Sequence, residues 1–266
     1  MASKSSDLEV KKVILGEKRV PKKLNSDYIT VNNEKIHINK ATGKKYGGGV
    51  VAGVFDYTSP DNFMSSYGTE IPKINERQTR KWLLIVCTED FFLPDPTMPG
   101  KDEYGLVSKL NYRNKSENFI SYNTSVTDGH KNTYGDGMSV SVPKYRIFKK
   151  FKDYKKNGHR DWYIPSFYEL LFIADKKYDL DIESTIQRNL IREYGRSKAS
   201  DIRFKSMKGN YISSSLAHIN NFREMNGSSY NYGVQFNRSA AGSYYVKLCD
   251  HYEFNKIRPI RRIYLP

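Results

Sequence analysis

The sequence predicts an α+β body, with a few helices packed on short, mostly antiparallel strands and a basic N-terminal arm in front of it. Three observations predict it. Ile164-Pro165-Ser166-Phe167-Tyr168-Glu169 spells out a helix start, Lys81 to Cys87 is the most apolar run in the chain, and the C-terminal part breaks into short β-type runs separated by Asn, Gly and Ser.

The helix start comes first because the neighbouring segments are read from it. Pro165 pushes Ile164 out of the helical region. Ser166 then acts as N-cap and Glu169, three residues on, returns the hydrogen bond as a capping box, so the helix begins at Phe167. Leu170, Leu171 and Ala174 give it a buried face, and Trp162 is the expected plug beneath it. A second amphipathic helix is expected over Val142 to Tyr154, where Tyr145, Phe148 and Phe151 recur at three-residue steps and Pro143 falls in the first turn. Asp179 to Glu193 extends the helical character. The basic stretch Arg192 to Lys208 after it reads as a solvated face.

The strands follow from local pattern. Tyr28 to Val31, then Asn32-Asn33, then Lys35 to Ile38 read as a hairpin, with Val10 to Leu15 another strand-sized piece upstream. Gly47-Gly48-Gly49 opens Val50 to Asp56. Neither a Lys-Ser/Thr ending nor a Rossmann spacing accompanies these glycines, so close backbone approach at a strand start explains them better than a phosphate loop. Trp82 to Cys87 is a central strand. Thr88 to Thr127 is irregular, since Pro94, Pro96, Pro99 and Gly100 cannot sit together in regular structure. Tyr211 to Ser215, Phe222 to Tyr232, Val234 to Phe236, Tyr244 to Leu248 and Ile257 to Ile263 complete the strands.

Organisation follows charge. Residues 1–45 carry eleven Lys or Arg against five Asp or Glu and are read as a basic arm, with Lys11, Lys12, Lys22 and Lys23 as its assembly contacts; residues 46–266 form the body. A frayed terminus is the plain alternative. The whole chain of 266 residues has 44 Lys+Arg against 29 Asp+Glu, a net +15. That charge draws nucleic acid, anionic glycan or an acidic protein surface without choosing among them. With 21 Tyr against 13 Phe and 2 Trp, the aromatic content suits interfaces.

The chemistry-bearing residues do not converge in the sequence. Cys87 and Cys249 lie in apolar strand-like runs and read as buried free thiols. His37, His130, His159, His218 and His251 have no metal-ligand spacing. Asp128 to Asn132 is expected to cap a helix and brace a loop, with a Ca²⁺ site as the lesser alternative because regularly spaced Asp and Asn are missing. No catalytic residue, cofactor or metal is expected. Residues Met1 to Asp7 are polar, no secretory h-region or membrane-length run is read, and a product of a reducing cytosol is expected.

Three blocks stand out together: Asp128-Gly129-His130-Lys131-Asn132-Thr133, the segment Asp161-Trp162-Tyr163-Ile164-Pro165-Ser166 through Glu169-Leu170, and Ile257-Arg258-Pro259-Ile260-Arg261. In this order they resemble the C-type-lectin-like domains, relatives of the formylglycine-generating-enzyme fold, found in bacterial adhesins and in structural proteins of Bacteroides-infecting, crAss-like bacteriophages. The resemblance covers roughly Gly47 to the C-terminus. Asp161, Trp162, Pro165, Ser166, Glu169 and Arg258 are taken as structural, and Arg258, Arg261 and Arg262 near the chain end are expected to pair with carboxylates such as Asp161 or Glu169, closing the domain between this segment and the last strand. Where such domains have an aromatic-Trp-Ser-Ser strand, this chain has Tyr211-Ile212-Ser213-Ser214. The enzymatic relative relies on a cysteine pair for which Cys87 and Cys249 offer no local motif. The fold serves binding, enzymology and scaffolding alike, so it does not fix an activity.

The resemblance places the ligand face late in the fold. There, Tyr230, Asn231 and Tyr232 with Tyr244 and Tyr245 belong to loops of Tyr, Ser, Asn and Gly, residues 226–232 and 239–245, a mix suited to recognition and equally to turns. Two functions are expected from this. One is a structural protein of a phage virion (tail, collar ring or head-associated fibre), assembled in the host cytoplasm as a symmetric oligomer, touching other virion proteins and a host-surface glycan for attachment. The other is a free-standing glycan-binding adhesin. A nucleic-acid binder is the weaker third reading, to be recognised by a steep salt slope.

Overall fold

A computed structural model of the chain describes residues 22–56, 81–91, 125–134, 151, 153–174, 182–202, 207, 209–216, 230–236, 244–250 and 256–266. The elements in chain order are β1 (Tyr28–Val31), β2 (Glu34–His37), a 3-10 turn at Ile38–Lys40, β3 (Lys45–Tyr46), β4 (Gly49–Phe55), β5 (Trp82–Val86), α1 (Gly129–Tyr134), α2 (Phe167–Ala174), α3 (Ile182–Ile202), β6 (Gly209–Leu216), β7 (Tyr230–Phe236), β8 (Tyr244–Asp250) and β9 (Ile260–Tyr264). Among the described residues the named strands all pair antiparallel, in sheets of order β1-β2, β3-β4-β5-β9 and β6-β7-β8, and the isolated bridges Lys23–Tyr264 and Tyr211–Lys256 are parallel. The described fold is thus α+β. Val10 to Leu15, the proline cluster of residues 94–100 and most of the helix expected over 142–154 lie outside the described residues.

The continuous apolar run of β5 is explained by burial on both faces of an interior strand. Trp82, Leu84 and Val86 enter one core layer, with Val50, Ala52, Phe55 and the helix α2. Leu83, Ile85 and Cys87 enter the other, with Val51, Ile263 and Trp162. Between Val51 and Gly53 the β4–β5 register slips by a bulge, and Gly53 takes φ 139°, a region open to glycine and strained for other residues. The extra residue resets the alternation. Val54 then packs on the second layer, and Phe55 turns to the first, where it stacks on Trp82 with ring centroids 5.2 Å apart.

Helix α2 begins at Phe167 and carries its capping box: Ser166 N–H donates to Glu169 Oε2 at 2.9 Å and Glu169 N–H to Ser166 Oγ at 3.3 Å. The expectation of a single buried face is exceeded. All eight residues of α2 are buried, because the four-stranded sheet, the β6–β7 pair and α3 surround it. α3 runs past Glu193, and at Gly195 (φ 75°, ψ 162°) its backbone is non-helical, so a kink separates two helical pieces.

Trp162 is fully buried, but on the far side of the sheet from α2, whereas the next residue, Tyr163, enters the α2 layer. An extended segment sends successive side chains to opposite faces. The hairpin β1–β2 covers Trp162. Its turn residues Asn32 and Asn33 both have positive φ, 49° and 67°, which matches a two-residue hairpin turn of the kind Asn favours. Leu24, Ile29, Val31, Ile38 and Ala41 are buried in this layer, so residues 22–45, read from the sequence as the end of the arm, pack against the body.

Two of the sheet edges, those of β9 and β6, are met by other parts of the chain. Along the outer side of β9, Leu24 N–H donates to Tyr264 O at 2.8 Å and Tyr264 N–H to Lys22 O at 3.0 Å, while further along Tyr163 and Ile260 exchange bonds of 2.8 and 3.0 Å. The outer side of β6 is met by Lys256 and by Pro165, whose carbonyl accepts from Ser214 N–H at 2.8 Å. These bonds also join the three-stranded sheet to the rest.

Candidate functional site

The residues singled out by the sequence converge where the start of α2, the loop before α1 and the last strand meet. Glu169 lies at the centre, fully buried. Its Oε2 accepts from the backbone N–H of Gly129 at 3.0 Å, from Ser166 N–H at 2.9 Å and from Ser166 Oγ at 2.8 Å, and its Oε1 from the Tyr163 hydroxyl at 2.8 Å. Burial and the nearby charge of Asp128 push its pKa up to about 7, against the opposing pull of these donors. Gly129 has to be glycine here: a Cβ would fall 2.3 Å from Ile164 O and 2.7 Å from Glu169 Oε2.

The three terminal arginines each take a different carboxylate. Arg258, with no exposed surface, donates from Nε to Asp90 Oδ1 at 2.8 Å, and the Tyr211 hydroxyl donates to the same carboxylate. Burial works against the Arg258 charge, yet Asp90 and Tyr211 outweigh it and leave its pKa raised. Arg261 grips Asp161 with two parallel bonds, 2.7 and 2.8 Å, and donates from Nη1 to Gly47 O. Burial raises the Asp161 pKa, but the Arg261 bonds and charge prevail and hold it below the usual carboxylate range. Arg262 binds Asp128 at 2.7 Å and lies over the rings of Trp82, Tyr264 and Tyr163 at 5.0, 4.9 and 5.9 Å. Glu169 is held by hydroxyl and backbone donors in place of the expected arginine.

Asp128 also caps α1, accepting from Lys131 N–H at 2.8 Å, and Asn132 braces the loop through Ser125 N–H, Ser125 O and Ser214 Oγ at 2.8, 2.7 and 2.9 Å. This is the capping and bracing role read from the sequence. His130 packs against Tyr134 and Tyr163, with ring centroids 4.9 and 5.4 Å away. Burial first, then the Arg262 charge, lowers its pKa to about 4, so it is neutral at physiological pH. Among the described residues, no group of three or more His, Cys, Asp or Glu is placed to hold a metal ion. Cys87 is a buried free thiol whose pKa burial raises, with the Tyr154 hydroxyl 3.8 Å away.

Three features went unread in the sequence. Asp90 and Tyr211 as partners of Arg258 gave no local signal, since they are far apart in the chain. Asn157, at φ 50°, donates to Gly48 O and holds the glycine run. The serines of β6 act as struts: Ser214 Oγ donates to Pro165 O at 3.1 Å, and Ser215 Oγ donates to Ser125 O at 2.8 Å while accepting from Phe167 N–H at 3.0 Å. A serine run inside a strand was the signal that could have found them.

The remaining candidates lie elsewhere. Tyr230, Asn231 and Tyr232 lie within strand β7 and Tyr244 and Tyr245 within strand β8, not on the loops expected for them, because both runs are drawn into one antiparallel ladder. The register pairs Tyr230 with Asp250 and Phe236 with Tyr244, so the two sets lie toward opposite ends of the β7–β8 pair, from about 10 Å apart (Tyr232 and Tyr245) to about 20 Å (Tyr230 and Tyr244) along the strands at about 3.3 Å per residue. Lys22 and Lys23 lie at the β9 edge, and Lys11 and Lys12 fall outside the described residues. Among the described residues no helix is long and apolar enough to cross a membrane. Comparison with protein-family models, curated proteins and solved structures finds no match for the chain.

Proposed function

We propose that this chain is a structural protein of a bacteriophage virion, in its tail, a collar ring or a head-associated fibre, built as a C-type-lectin-like body for assembly with other virion proteins or attachment to a host surface. One observation carries the reading. The three blocks behind the resemblance are tied to one another by side-chain bonds: Gly129 to Glu169, Asp161 to Arg261, and Asp128 to Arg262. Asp161 and Glu169 are satisfied within this junction, an arrangement that braces a body and leaves its outer surfaces for contact.

The N-terminal segment supports the assembly role. Lys22 to Leu24 is bonded along the outer side of β9, so the basic residues Lys22 and Lys23 are held at the sheet edge. Sedimentation of the purified full chain tests the reading. A symmetric oligomer that dissociates when Lys11, Lys12, Lys22 and Lys23 are all changed to Glu supports it. A monomer that binds acidic polysaccharide more weakly as salt rises overturns it in favour of the adhesin, and a steep salt slope in DNA binding overturns it in favour of a nucleic-acid binder.

A further inference from the structure

Lys156 and His159 exchange two backbone hydrogen bonds of 3.0 Å, closing a two-residue turn on Asn157 and Gly158. Both turn residues have positive φ, 50° and 81°, the conformation for which Asn-Gly is a favoured pair. Both are exposed to water, and nothing lies within 4 Å of where a Cβ on residue 158 would stand. The Asn157 side chain reaches across to the glycine run, donating from Nδ2 to Gly48 O at 2.6 Å. Next to it, Gly47 O accepts from Arg261, which grips Asp161, and Lys156 O accepts from Trp162 Nε1 at 3.0 Å. The turn is therefore a clip between the glycine run and the segment that carries Trp162.

We infer that Asn157 is a deamidation site and that the fold holds it latched. An asparagine followed by glycine carries its own reactants, because residue 158 has no side chain to obstruct its backbone nitrogen. That nitrogen attacks Asn157 Cγ: a C–N bond forms, the Cγ–Nδ2 bond breaks, and the proton released by the nitrogen leaves with Nδ2 as ammonia. Water then opens the five-membered imide at either carbonyl, giving aspartate or isoaspartate, with no oxidant or cofactor. Ring closure requires the Asn157 backbone to leave the turn conformation and its amide to leave Gly48 O. While both are held, the reacting atoms are kept from an aligned approach, and small misplacements slow such a step steeply. Local opening of the turn frees them together. The product does not relatch. Aspartate has lost the donor that held Gly48 O and turns an anion toward that carbonyl, and isoaspartate adds a methylene to the backbone of a two-residue turn. Either one marks, irreversibly, a chain that has opened at this clip.

The test incubates the full chain at mildly alkaline pH, folded and in urea, and follows the peptide containing Asn157 by mass spectrometry. Asn226-Gly227, the other Asn-Gly pair of the sequence, is the internal reference in urea, where the two asparagines are expected to convert at similar rates. In the folded chain Asn157 is expected to convert at least about tenfold more slowly than in urea. Gly158→Ala is expected to slow conversion of Asn157 in urea and leave Asn226 unchanged, an outcome that does not depend on folding. Asn157→Asp supplies one product directly and is expected to melt below the wild type. Failure of Asn157 to convert in urea overturns the site. Equal rates in the folded chain and in urea overturn the latch, and an Asn157→Asp variant as stable as the wild type overturns the loss of the clip.

Discussion

Glu169 and His130 press on Tyr163 from two sides: the carboxylate accepts the Tyr163 hydroxyl at 2.8 Å and the imidazole sits with its ring centroid 5.4 Å from the phenol ring. The same burial displaces their ionisations in opposite directions, up to about 7 for the acid and down to about 4 for the base. Burial disfavours the charged form of each, which is the anion of one and the cation of the other.

Stability should therefore depend on pH through two opposing contributions. Glu169 has a folded pKa above its unfolded value of 4.5, so its contribution is fully present below 4.5 and is lost as pH rises through 7. His130 has a folded pKa below 6.5, so its contribution is fully present above 6.5 and is lost as pH falls through 4. The two slopes oppose each other between pH 4.5 and 6.5, and above 6.5 only that of Glu169 remains. Thermal melts from pH 6.5 to 8 should show a falling Tm in the wild type and a flatter profile in Glu169→Gln. His130→Asn should fall continuously from pH 4.5 upward, and a profile for His130→Asn that matches the wild type would sink the account.

The two tryptophans should respond differently to loss of the indole N–H. Trp162 donates from Nε1 to Lys156 O at 3.0 Å, while Trp82 Nε1 is buried with no acceptor among the described residues. Removing one partner of a buried hydrogen bond leaves the other unsatisfied at about 1–3 kcal/mol, whereas removing an orphaned donor relieves a penalty. Both Trp→Phe changes also lose volume. Urea denaturation should find Trp162→Phe the more destabilising by about 1–2 kcal/mol; equal losses would contradict the hydrogen-bond assignment.

Arg258→Met should be the costliest of the arginine changes. It strips the guanidinium from Asp90 in a site with no exposed surface on the arginine, and breaking a buried pair from one side costs about 3–5 kcal/mol. The double variant Arg258→Met, Asp90→Asn should recover part of that loss, since no uncompensated charge remains. A double variant less stable than the single one would show that the pair contributes chiefly through packing.

Gly53→Ala should destabilise by about 1–3 kcal/mol, because φ 139° is open to glycine and the new Cβ would meet Phe172 Cζ at 3.2 Å. Gly158→Ala, also at positive φ but with nothing within 4 Å of the added Cβ, should cost less. Comparing the two by thermal melt separates backbone strain from steric contact.

The capping box at Ser166 and Glu169, the Asn32-Asn33 hairpin and the interior position of Trp82 to Val86 were all legible in the chain, because each rests on neighbours a few residues apart. The Arg261–Asp161 pair was one of those open to the terminal arginines, which were read as partners of carboxylates such as Asp161 or Glu169. Trp162 was read as buried but given to the wrong layer, since burial follows from residue type while the choice of face depends on where an extended segment meets a sheet. Helix α2 likewise showed one apolar face and is buried all round, because the serines and tyrosine that satisfy its polar positions come from β6 and from the preceding segment.

By itself the sequence determined the local units: where α2 starts, where the chain reverses between β1 and β2, and which run could tolerate burial on both faces. Short-range sterics and hydrogen bonding settle those choices before any long-range contact forms. Only the tertiary structure decided the partners of the charged groups, Asp90 for Arg258 and Gly129 for Glu169, and set Tyr230 and Tyr244 at opposite ends of one strand pair. Such relationships join residues separated by many positions, and they are fixed by strand register and by the requirement that every buried polar group find a partner.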